Sequence, residues 1–348
     1  MGNIRQFAAV NTKIKAMERR FLQKDDYLSL LRKKSVREIA VYLKEKTDYA
    51  VVLENVQIEN IHRDELEQLL KKYILHQYEK LIHFFIDDYR KFSKLTLMRY
   101  EIEDLKLYLR AIARGDEPHN LQHLIHYAGR YTNLPHDKLS QSKSMEAFVS
   151  HLQGTIYYLS LLPLLQEDED KRLFHMEMNL DILYFRLLQE QNKKLDKEDR
   201  KLQEEILGIN VDLLNLQWIY RGIKFYQLLP EELINYMLPK GHTLSFQKIK
   251  QLCYAKDERE FLQRLGPTKY GFLFDNQQTQ DIHMERRIAR FFYFLFQSYR
   301  KKEKMNIGTA VIYMHLLEYQ TRDIISTIEA IRYGLDEEKA RQYLIRKL

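Results

Sequence analysis

The feature that most constrains this chain is a motif that occurs three times at nearly constant spacing. The copies are Glu101–Leu107, Asn210–Leu216 and Glu318–Ile324, and the offsets between them are 109 and 108 residues. Each copy starts with acidic or amide side chains and continues with apolar residues three, four and seven positions apart. That spacing predicts one face of an amphipathic helix. Acidic residues favour the positive end of a helix dipole, so we expect the motif to mark a helix start.

A second pattern lies upstream of each copy and keeps a similar offset. It begins at Ser35, Ser144 or Asp257, continues with apolar residues four apart, and ends in Thr-x-Tyr. Ser and Asp are favoured N-caps, so each residue is predicted to begin a helix. The three Thr-x-Tyr elements end at Tyr49, Tyr157 and Tyr270.

Several short patterns that share an offset of 108 to 113 residues predict tandem structural repeats. We place the three repeats at residues 1–115, 116–224 and 225–348. A glycine closes the motif helix of each repeat, where a left-handed C-cap would lie, and these glycines are Gly115, Gly222 and Gly334. The period is much longer than that of a short-period solenoid, so each repeat is predicted to be a small helical domain.

Composition supports an all-α fold. The 348 residues include only 11 Gly and 6 Pro, so few turns interrupt the chain and the segments between turns are long. The longest apolar stretch, Ile156–Leu165, is far shorter than the roughly 20 residues that span a bilayer. The single cysteine, Cys253, and the single tryptophan, Trp218, lie among apolar residues and are predicted to be buried. The aromatic run Phe291–Phe296 would wrap all sides of a helix, which predicts a buried helix.

The net charge of +7 is unevenly distributed. Residues 1–34 hold nine Lys/Arg against three Asp/Glu, and residues 285–304 hold seven against two. We predict that these segments lie together and form an electropositive rim that binds a partner. The residues chosen for this interface are Arg300, Lys301, Lys302, Arg19 and Arg20. The alternative is a solvated helix face without a partner.

The sequence predicts no catalytic residue, no cofactor and no metal ion. It contains neither the Gly-x4-Gly-Lys-Ser/Thr phosphate loop nor the Gly-x-Ser-x-Gly nucleophile elbow. Glu101 and Glu103 could serve acid–base chemistry, but the later copies carry Asn210 and Gln320 at these positions, which favours helix capping instead.

Three histidines offer an alternative metal site. His119, His123 and His126 share one face of a predicted helix. No carboxylate or cysteine completes a zinc set at ligand spacing, so solvated or interface histidines are the favoured interpretation.

In these motifs the sequence resembles the C/d (39 kDa-type, AC39-like) subunit family of V-type and A-type rotary ATPases. The resemblance covers nearly the whole chain and is carried by the repeated motif. It is also carried by the Gly-containing apolar run Asn306–Glu318 and by the turn Leu238–His242 that precedes Leu244. Lys106 and Asp323 stand where the second copy has Asn215, so the amide itself is not a fixed part of the motif.

The resemblance implies an all-helical, funnel-shaped protein made of three helical subdomains in a pseudo-threefold array. It implies a non-catalytic, peripheral subunit on the cytoplasmic face of the membrane, which contacts the membrane only through the ring of proteolipid subunits. Central-stalk subunits of the D/F type would bind its other side, and the protein would transmit torque that drives proton or sodium translocation. No nucleic acid partner is expected.

A basic all-helical scaffold that binds nucleic acid or acidic proteins is the alternative function. It does not account for the constant offset of the repeats. Nucleic acid binding would weaken steeply with salt, which separates the two hypotheses.

Overall fold

The protein is all-helical, which confirms the predicted fold class. The computed structural model describes residues 2–125, 129–132, 134–274, 280–302 and 305–348, and these residues contain 17 α-helices and no β-strand. In chain order the helices are α1 (Gly2–Glu18), α2 (Lys24–Leu31), α3 (Val36–Lys46), α4 (Ala50–Leu53), α5 (Arg63–Ile82), α6 (Asp87–Arg114), α7 (His136–Leu139), α8 (Met145–His151), α9 (Tyr158–Leu161), α10 (Glu169–Asn192), α11 (Lys197–Arg221), α12 (Pro230–Tyr236), α13 (Phe246–Cys253), α14 (Glu258–Leu265), α15 (Gln280–Arg300), α16 (Gly308–Arg332) and α17 (Glu337–Tyr343).

Contacts divide the chain into two compact units. Unit 1 contains residues Met1–Arg90 and Ala289–Leu348, and unit 2 contains residues Lys91–Ile288. The chain changes unit inside two helices, α6 and α15, so the boundaries do not fall in loops. The three repeats are a division of the sequence that this grouping does not test, and their boundaries stay a prediction.

Unit 1 is built around α16. This helix packs against α1, α2, α3, α5 and α17. Apolar residues that are almost fully buried occur around most of its circumference, among them Leu316, Leu317, Ile324 and Ile328. A helix that is apolar on most sides must be surrounded by other elements. The first five helices of the chain and its last two therefore share one core.

Unit 2 contains a core formed by α6, α8, α9 and α10. Leu105, Tyr108, Phe148, Leu161 and Met176 are buried together there. The helices α11 to α14 follow, and α13 packs against α11, α12 and α14. Beside them the ring of Tyr220 lies 4.9 Å from that of Phe274 and 6.0 Å from that of Phe261.

The three predicted N-caps are confirmed. The Ser35 hydroxyl accepts the Glu38 N–H at 3.2 Å, and the Ser144 hydroxyl accepts the Ala147 N–H at 3.2 Å. The Asp257 carboxylate accepts the Glu260 N–H at 2.9 Å. Each cap satisfies an N–H group that the first turn of a helix leaves without an intrahelical acceptor.

Two of the three predicted left-handed glycines are confirmed, and the third is wrong. Gly115 has φ 74° and Gly334 has φ 62°. Gly222 has φ −61°, because α11 continues from it into a π-helical turn that ends at Tyr226. Gln227, with φ 47°, adopts the left-handed conformation there instead.

The predicted position of the acidic motif at helix starts is wrong. Glu101 lies in the middle of α6, Asp212 lies within α11, and Glu318 lies within α16. The spacing of apolar residues marks a helical face, and it continues upstream for several turns in all three helices. The acidic groups therefore cannot cap a helix start, and their partners must be tertiary contacts.

Burial is confirmed for Cys253 and Trp218, at 1% and 5% exposure. Burial also raises the pKa of the Cys253 thiol to about 12, which leaves it protonated and unreactive at neutral pH. The prediction for the aromatic run holds only in part. Phe292 and Phe296 are buried, but Phe294 is 51% exposed, because one side of α15 faces solvent.

Candidate partner interface

Three buried tyrosines connect the short helices to the long helices by hydrogen bonds, and we call each of these connections a tie. In each Thr-x-Tyr element the threonine hydroxyl accepts the backbone N–H of the tyrosine, at 3.2 Å for Tyr49, 3.3 Å for Tyr157 and 3.2 Å for Tyr270. Each of the three tyrosines is at most 2% exposed. This local turn directs each phenol into the core, where its hydroxyl must find a hydrogen-bond partner.

Each tyrosine hydroxyl bonds to a residue in or beside the repeated motif. Tyr157 donates to Glu101 of α6, and Tyr270 donates to Asp212 of α11 at 2.8 Å. The hydroxyl of Tyr49 lies 2.9 Å from the Thr321 hydroxyl and accepts from the Gln320 amide of α16. The Thr-x-Tyr element and the acidic motif recur together because a tyrosine of one bonds to a residue in or beside the other, once for each copy.

The ties follow a cyclic order along the sequence. The tyrosine of the second copy bonds to the motif of the first, and the tyrosine of the third copy bonds to the motif of the second. The tyrosine of the first copy bonds to the motif of the third. The ends of the chain are therefore joined in unit 1 by the same kind of contact that joins consecutive copies in unit 2.

A second kind of tie is made by the residue at which the three copies of the motif differ most in charge, Lys106, Asn215 or Asp323. Lys106 bonds to Asp181 of α10 at 2.6 Å, and the Asn215 amide bonds to both the N–H and the C=O of Leu238 at 2.9 Å. Asp323 accepts the Ile345 N–H and pairs with Arg346 at 3.2 Å. Ammonium, amide and carboxylate thus join each long helix to a segment that follows it by different chemistry, so one amide is not required.

Asp212 makes the densest set of these contacts. Its fully buried carboxylate accepts the Tyr270 hydroxyl, the Thr243 N–H at 2.7 Å and the Leu244 N–H at 3.3 Å. Gly241 lies so close that a Cβ there would collide with the carboxylate, which these bonds hold in place. The resemblance-bearing turn Leu238–His242 is therefore a glycine turn that wraps a buried acid.

Tyr157→Phe should lower the free energy of unfolding of unit 2 by about 1 to 3 kcal/mol, because the buried Glu101 loses a donor and keeps its desolvation cost. Urea unfolding followed by circular dichroism measures the change. Tyr158→Phe, at the next position, is the control, since the hydroxyl of this half-buried side chain has no hydrogen-bond partner among the described residues. An equal loss in both variants would contradict the role of the tie.

The carboxylates of the motif are structural contacts rather than a reactive pair. Glu101 is engaged by Tyr157, and Glu103 lies 3.3 Å from the ammonium group of Lys106. The stretch around His119 is a 3₁₀ turn, Pro118–Leu124, rather than the predicted α-helix. The His123 side chain and His126 lie outside the described residues. Among the residues whose positions are described, no group of three His, Cys, Asp or Glu side chains could hold a metal ion.

The two basic segments come together in unit 1, where an ion pair joins them. Arg300, the last residue of α15, lies 2.9 Å from the carboxylate of Glu18, the last residue of α1. The Arg300 guanidinium also lies over the ring of Phe21, 5.9 Å from its centroid. Phe21 in turn stacks on Tyr313 of α16 at 5.2 Å. The ends of α1 and α15 are therefore held side by side against the core of unit 1.

The other four predicted interface residues directly follow the two members of this ion pair in the sequence. Arg19 and Arg20 follow α1, Lys301 and Lys302 follow α15, and all four are exposed. Arg20 bonds to Asp48 at 2.8 Å, and Lys302 lies over the ring of Tyr299. The structure places all five predicted residues at these two adjoining helix ends. Their role in binding a partner stays a prediction.

Of two further lysines, Lys13 and Lys80, the second lies close enough to Lys13 and Arg20 to interact with both electrostatically, and only Lys80 lies outside both basic segments of the sequence. Burial and the charges of Lys13 and Arg20 lower the pKa of Lys80, on α5, below its usual range. Nothing in the sequence around Lys80 connects it to α1, since the proximity arises from helix packing. We call the set Lys13, Arg19, Arg20, Lys80, Arg300, Lys301 and Lys302 the basic end.

The basic end can attract an acidic surface. Two of its members, Arg20 and Arg300, already pair with carboxylates, whereas the mutual effect of Lys13, Arg20 and Lys80 is repulsive. An acidic partner would relieve that repulsion and would associate faster at low salt.

Comparison with known proteins identifies the family. Residues 10–343 match the family described as ATP synthase (C/AC39) subunit. The chain belongs to this family, whose members are a structural part of ATP synthase-type rotary machines rather than a catalytic one. The resemblance seen in the sequence is thereby confirmed.

Relatives described as the C subunit of A-type ATP synthase are similar along most of their length. The relative from Methanocaldococcus jannaschii is 25% identical over 349 residues, which covers 97% of this chain and 86% of the relative. The relative from Pyrococcus abyssi is 24% identical over 341 residues, or 95% and 88%. That from Methanosarcina mazei is 26% identical over 264 residues, or 76% and 71%.

None of the helices among the described residues combines the length and the apolar composition that a bilayer span needs.

Proposed function

We propose that this protein is the coupling element between the proteolipid ring and the central stalk of a rotary V/A-type ATPase. It would sit on the cytoplasmic face of the ring, receive the D/F-type stalk subunits on its other side, and pass torque between them. The ions moved would be protons or sodium ions, and ATP would be hydrolysed or made in other subunits.

The observation that carries this proposal is the match to the ATP synthase (C/AC39) subunit family over residues 10–343. Relatives similar over 86% or more of their own length are described as the C subunit of A-type ATP synthase. A part that transmits torque must resist shear between its helices. Buried ties such as Asp212 with Tyr270 suit this need, since a satisfied buried hydrogen bond fixes one packing arrangement.

The basic end supplies a candidate docking surface for the stalk. Lys301 and Lys302 are exposed, and Arg300 holds their position by its bond to Glu18. A positive surface of this kind would orient an acidic stalk foot during assembly. Arg300 itself is better left intact in a test, because a carboxylate there would face Glu18.

Lys301→Glu with Lys302→Glu should weaken association with the stalk and lower coupling, because the double reversal changes the charge of the basic end by four. Ion pumping per ATP hydrolysed, measured in reconstituted complexes, should fall by about half or more, while the fold is unchanged. The loss should grow as salt rises, because added ions screen whatever attraction remains.

The matched control is Lys34→Glu with Arg37→Glu. Both residues are exposed at the start of α3, the opposite end of this helix from Asp48, which bonds to the basic end, and this double variant makes the same change in net charge. Coupling that falls equally in both double variants would show a general charge effect. Unchanged pumping in the Lys301/Lys302 variant would remove the basic end from the proposal.

The coupling role itself is tested by recovering the tagged protein from its native membranes after mild detergent extraction. Mass spectrometry should find catalytic A and B subunits, stalk subunits and a proteolipid. Recovery of nucleic-acid-associated proteins without ATPase subunits would replace this proposal with the basic-scaffold alternative, and binding would then fall steeply with salt.

A further inference from the structure

A pocket in unit 1, separate from the basic end, is lined almost entirely by cations and apolar groups. Its volume is about 360 Å³. The lining residues come from α15, from the end of α17 and from the segment that follows it, and they are Arg290, Phe294, Arg341, Gln342, Ile345, Arg346, Lys347 and Leu348. Four of these eight side chains carry a positive charge, and none of the eight is Asp or Glu.

The carboxylates nearest to this pocket are already engaged. Asp323, a buried residue of α16, pairs with Arg346 at 3.2 Å and also accepts the Ile345 N–H. Glu337 lies 3.7 Å from Arg341, one helical turn away. Within the part of the chain that the structure describes, neither Arg290 nor Lys347 forms an ion pair. The positive charge of the pocket is therefore only partly neutralised by the described side chains.

Arg290 is fixed in an unusual position for an unpaired cation. Its guanidinium donates to the carbonyl oxygens of Gln342 and Leu344, three bonds at 2.6 to 3.1 Å. Burial lowers its pKa below the usual value, against the opposing charge of Asp323. These bonds use Nε and one terminal nitrogen and leave the other, Nη1, for a further acceptor. Arg346 is similarly held, with its guanidinium 3.7 Å from the centre of the Tyr27 ring.

Two other pockets differ from the pocket beside Arg290, because acidic side chains line them together with the cations. The pocket of about 400 Å³ at Gly208 in unit 2 contains three lysines but also Glu204 and Glu205. The pocket of about 450 Å³ at His62 in unit 1 contains Arg63 and Arg332 together with Asp64. In both, carboxylates offset the cations. In the pocket beside Arg290, carboxylates pair with Arg346 and Arg341, but Arg290 and Lys347 add two positive charges whose repulsion a bound anion would relieve.

We propose that the pocket formed by Arg290, Arg341, Arg346 and Lys347 binds a phosphate group. The site is independent of the coupling role and does not overlap the basic end.

Phosphate fits the pocket better than a carboxylate does. A phosphate carries up to two negative charges and several acceptor oxygens, so it can be shared by two guanidinium groups and an ammonium group. A single carboxylate would offset only one of the two unpaired charges, those of Arg290 and Lys347. Phe294, half-exposed at the rim, provides an apolar wall against which a larger phosphate ester could rest. The group could come from free phosphate or from an anionic lipid headgroup.

The test uses the full purified chain and inorganic phosphate, with chloride added to hold ionic strength constant. Calorimetry should find saturable binding to one site. Arg341→Gln with Lys347→Gln should weaken it by about tenfold or more, since each removes a charge-assisted bond. Both side chains are exposed, and within the described residues their side-chain bonds are limited to the loose Arg341–Glu337 pair, so the fold should persist.

Arg332→Gln with Lys339→Gln is the matched control. These are two exposed cations of the same unit, each 3.6 Å from a carboxylate one turn away and outside the pocket. Phosphate affinity should be unchanged in this variant. Equal affinity in the pocket variant and the native protein would overturn the proposal, as would heat changes no larger than those with chloride alone.

Vesicles separate the two sources of phosphate. Binding to phosphatidylcholine vesicles that contain phosphatidylglycerol, lost in the pocket variant and displaced by free phosphate, would identify a lipid headgroup. Phosphate binding with no such vesicle binding would identify a free phosphate site. A hexaglutamate peptide that competes for the site and binds more tightly than phosphate would overturn the proposal in favour of an acidic protein segment.

Discussion

Removal of residues 303–348 is expected to unfold the N-terminal helices of unit 1. These helices pack around α16, and Ile312, Leu316, Ile324 and Ile328 of α16 are each at most 6% exposed. Losing the burial of these four side chains alone costs about 6 to 12 kcal/mol. That is comparable to the whole stability of an ordinary domain. The truncation would also leave the Tyr49 hydroxyl and the Leu22 N–H without Gln320, their partner in the core.

Hydrogen exchange measured by mass spectrometry would follow the outcome helix by helix. We expect α2, α3 and α5 to lose protection, whereas α10 and α11 should keep theirs, because their cores contain residues of unit 2. Unit 2 is thus an internal control within the same molecule. Persistent protection of α3 and α5 in the truncated chain would mean that the first repeat folds alone and that the cyclic tie through Tyr49 is dispensable.

The sequence predicts the local elements of this fold well where one residue decides the geometry. Ser35, Ser144 and Asp257 cap their helices as expected, because a side-chain acceptor at that position satisfies the first turn without help from elsewhere. The repeated offset also connects the Thr-x-Tyr element with the acidic motif as parts of one repeating design. The helix caps and the repeated short patterns each depend on a few residues that are close together in the sequence.

Prediction from sequence fails where a long helix continues or where packing selects the partner. Periodicity shows a face but not an end, so it predicts a helix start at Glu101, which lies instead in the middle of α6. Gly222 could have ended α11, but a π-helical turn displaces the left-handed residue to Gln227. The pairing of Tyr49 with Gln320 spans 271 positions and could not be read from either segment alone.

At the candidate interface, too, the sequence predicts what is local and misses what packing brings together. Charge counting was enough to select Arg19, Arg20 and the residues at the end of α15. It could not bring Lys80 into the set, because that lysine stands in a near-neutral part of the sequence and reaches the surface only through the packing of α5. The phosphate pocket escaped sequence analysis for a related reason. Arg290 and Lys347 are 57 positions apart, and the turn after α17 brings them together.

Asp212→Ala should destabilise unit 2 by about 3 to 5 kcal/mol, the largest effect expected of a single substitution in these ties. The change removes a charged acceptor from the Tyr270 hydroxyl and from the Thr243 and Leu244 N–H groups, and the buried Leu244 N–H in particular loses a partner. Each unsatisfied buried donor costs about 1 to 3 kcal/mol. The glycine turn at Gly241 should also loosen, because it closes directly over this carboxylate.

Urea unfolding of three variants resolves how much of this effect belongs to the carboxylate. Tyr270→Phe removes one donor and should cost only about 1 to 2 kcal/mol. Together with Asp212→Ala it should cost less than the sum of the two single changes, because the phenol no longer needs an acceptor. Strict additivity would contradict the tie, since independent sites add and bonded partners do not. An Asp212→Ala loss below about 1 kcal/mol would mean that water reaches the cavity and replaces the carboxylate.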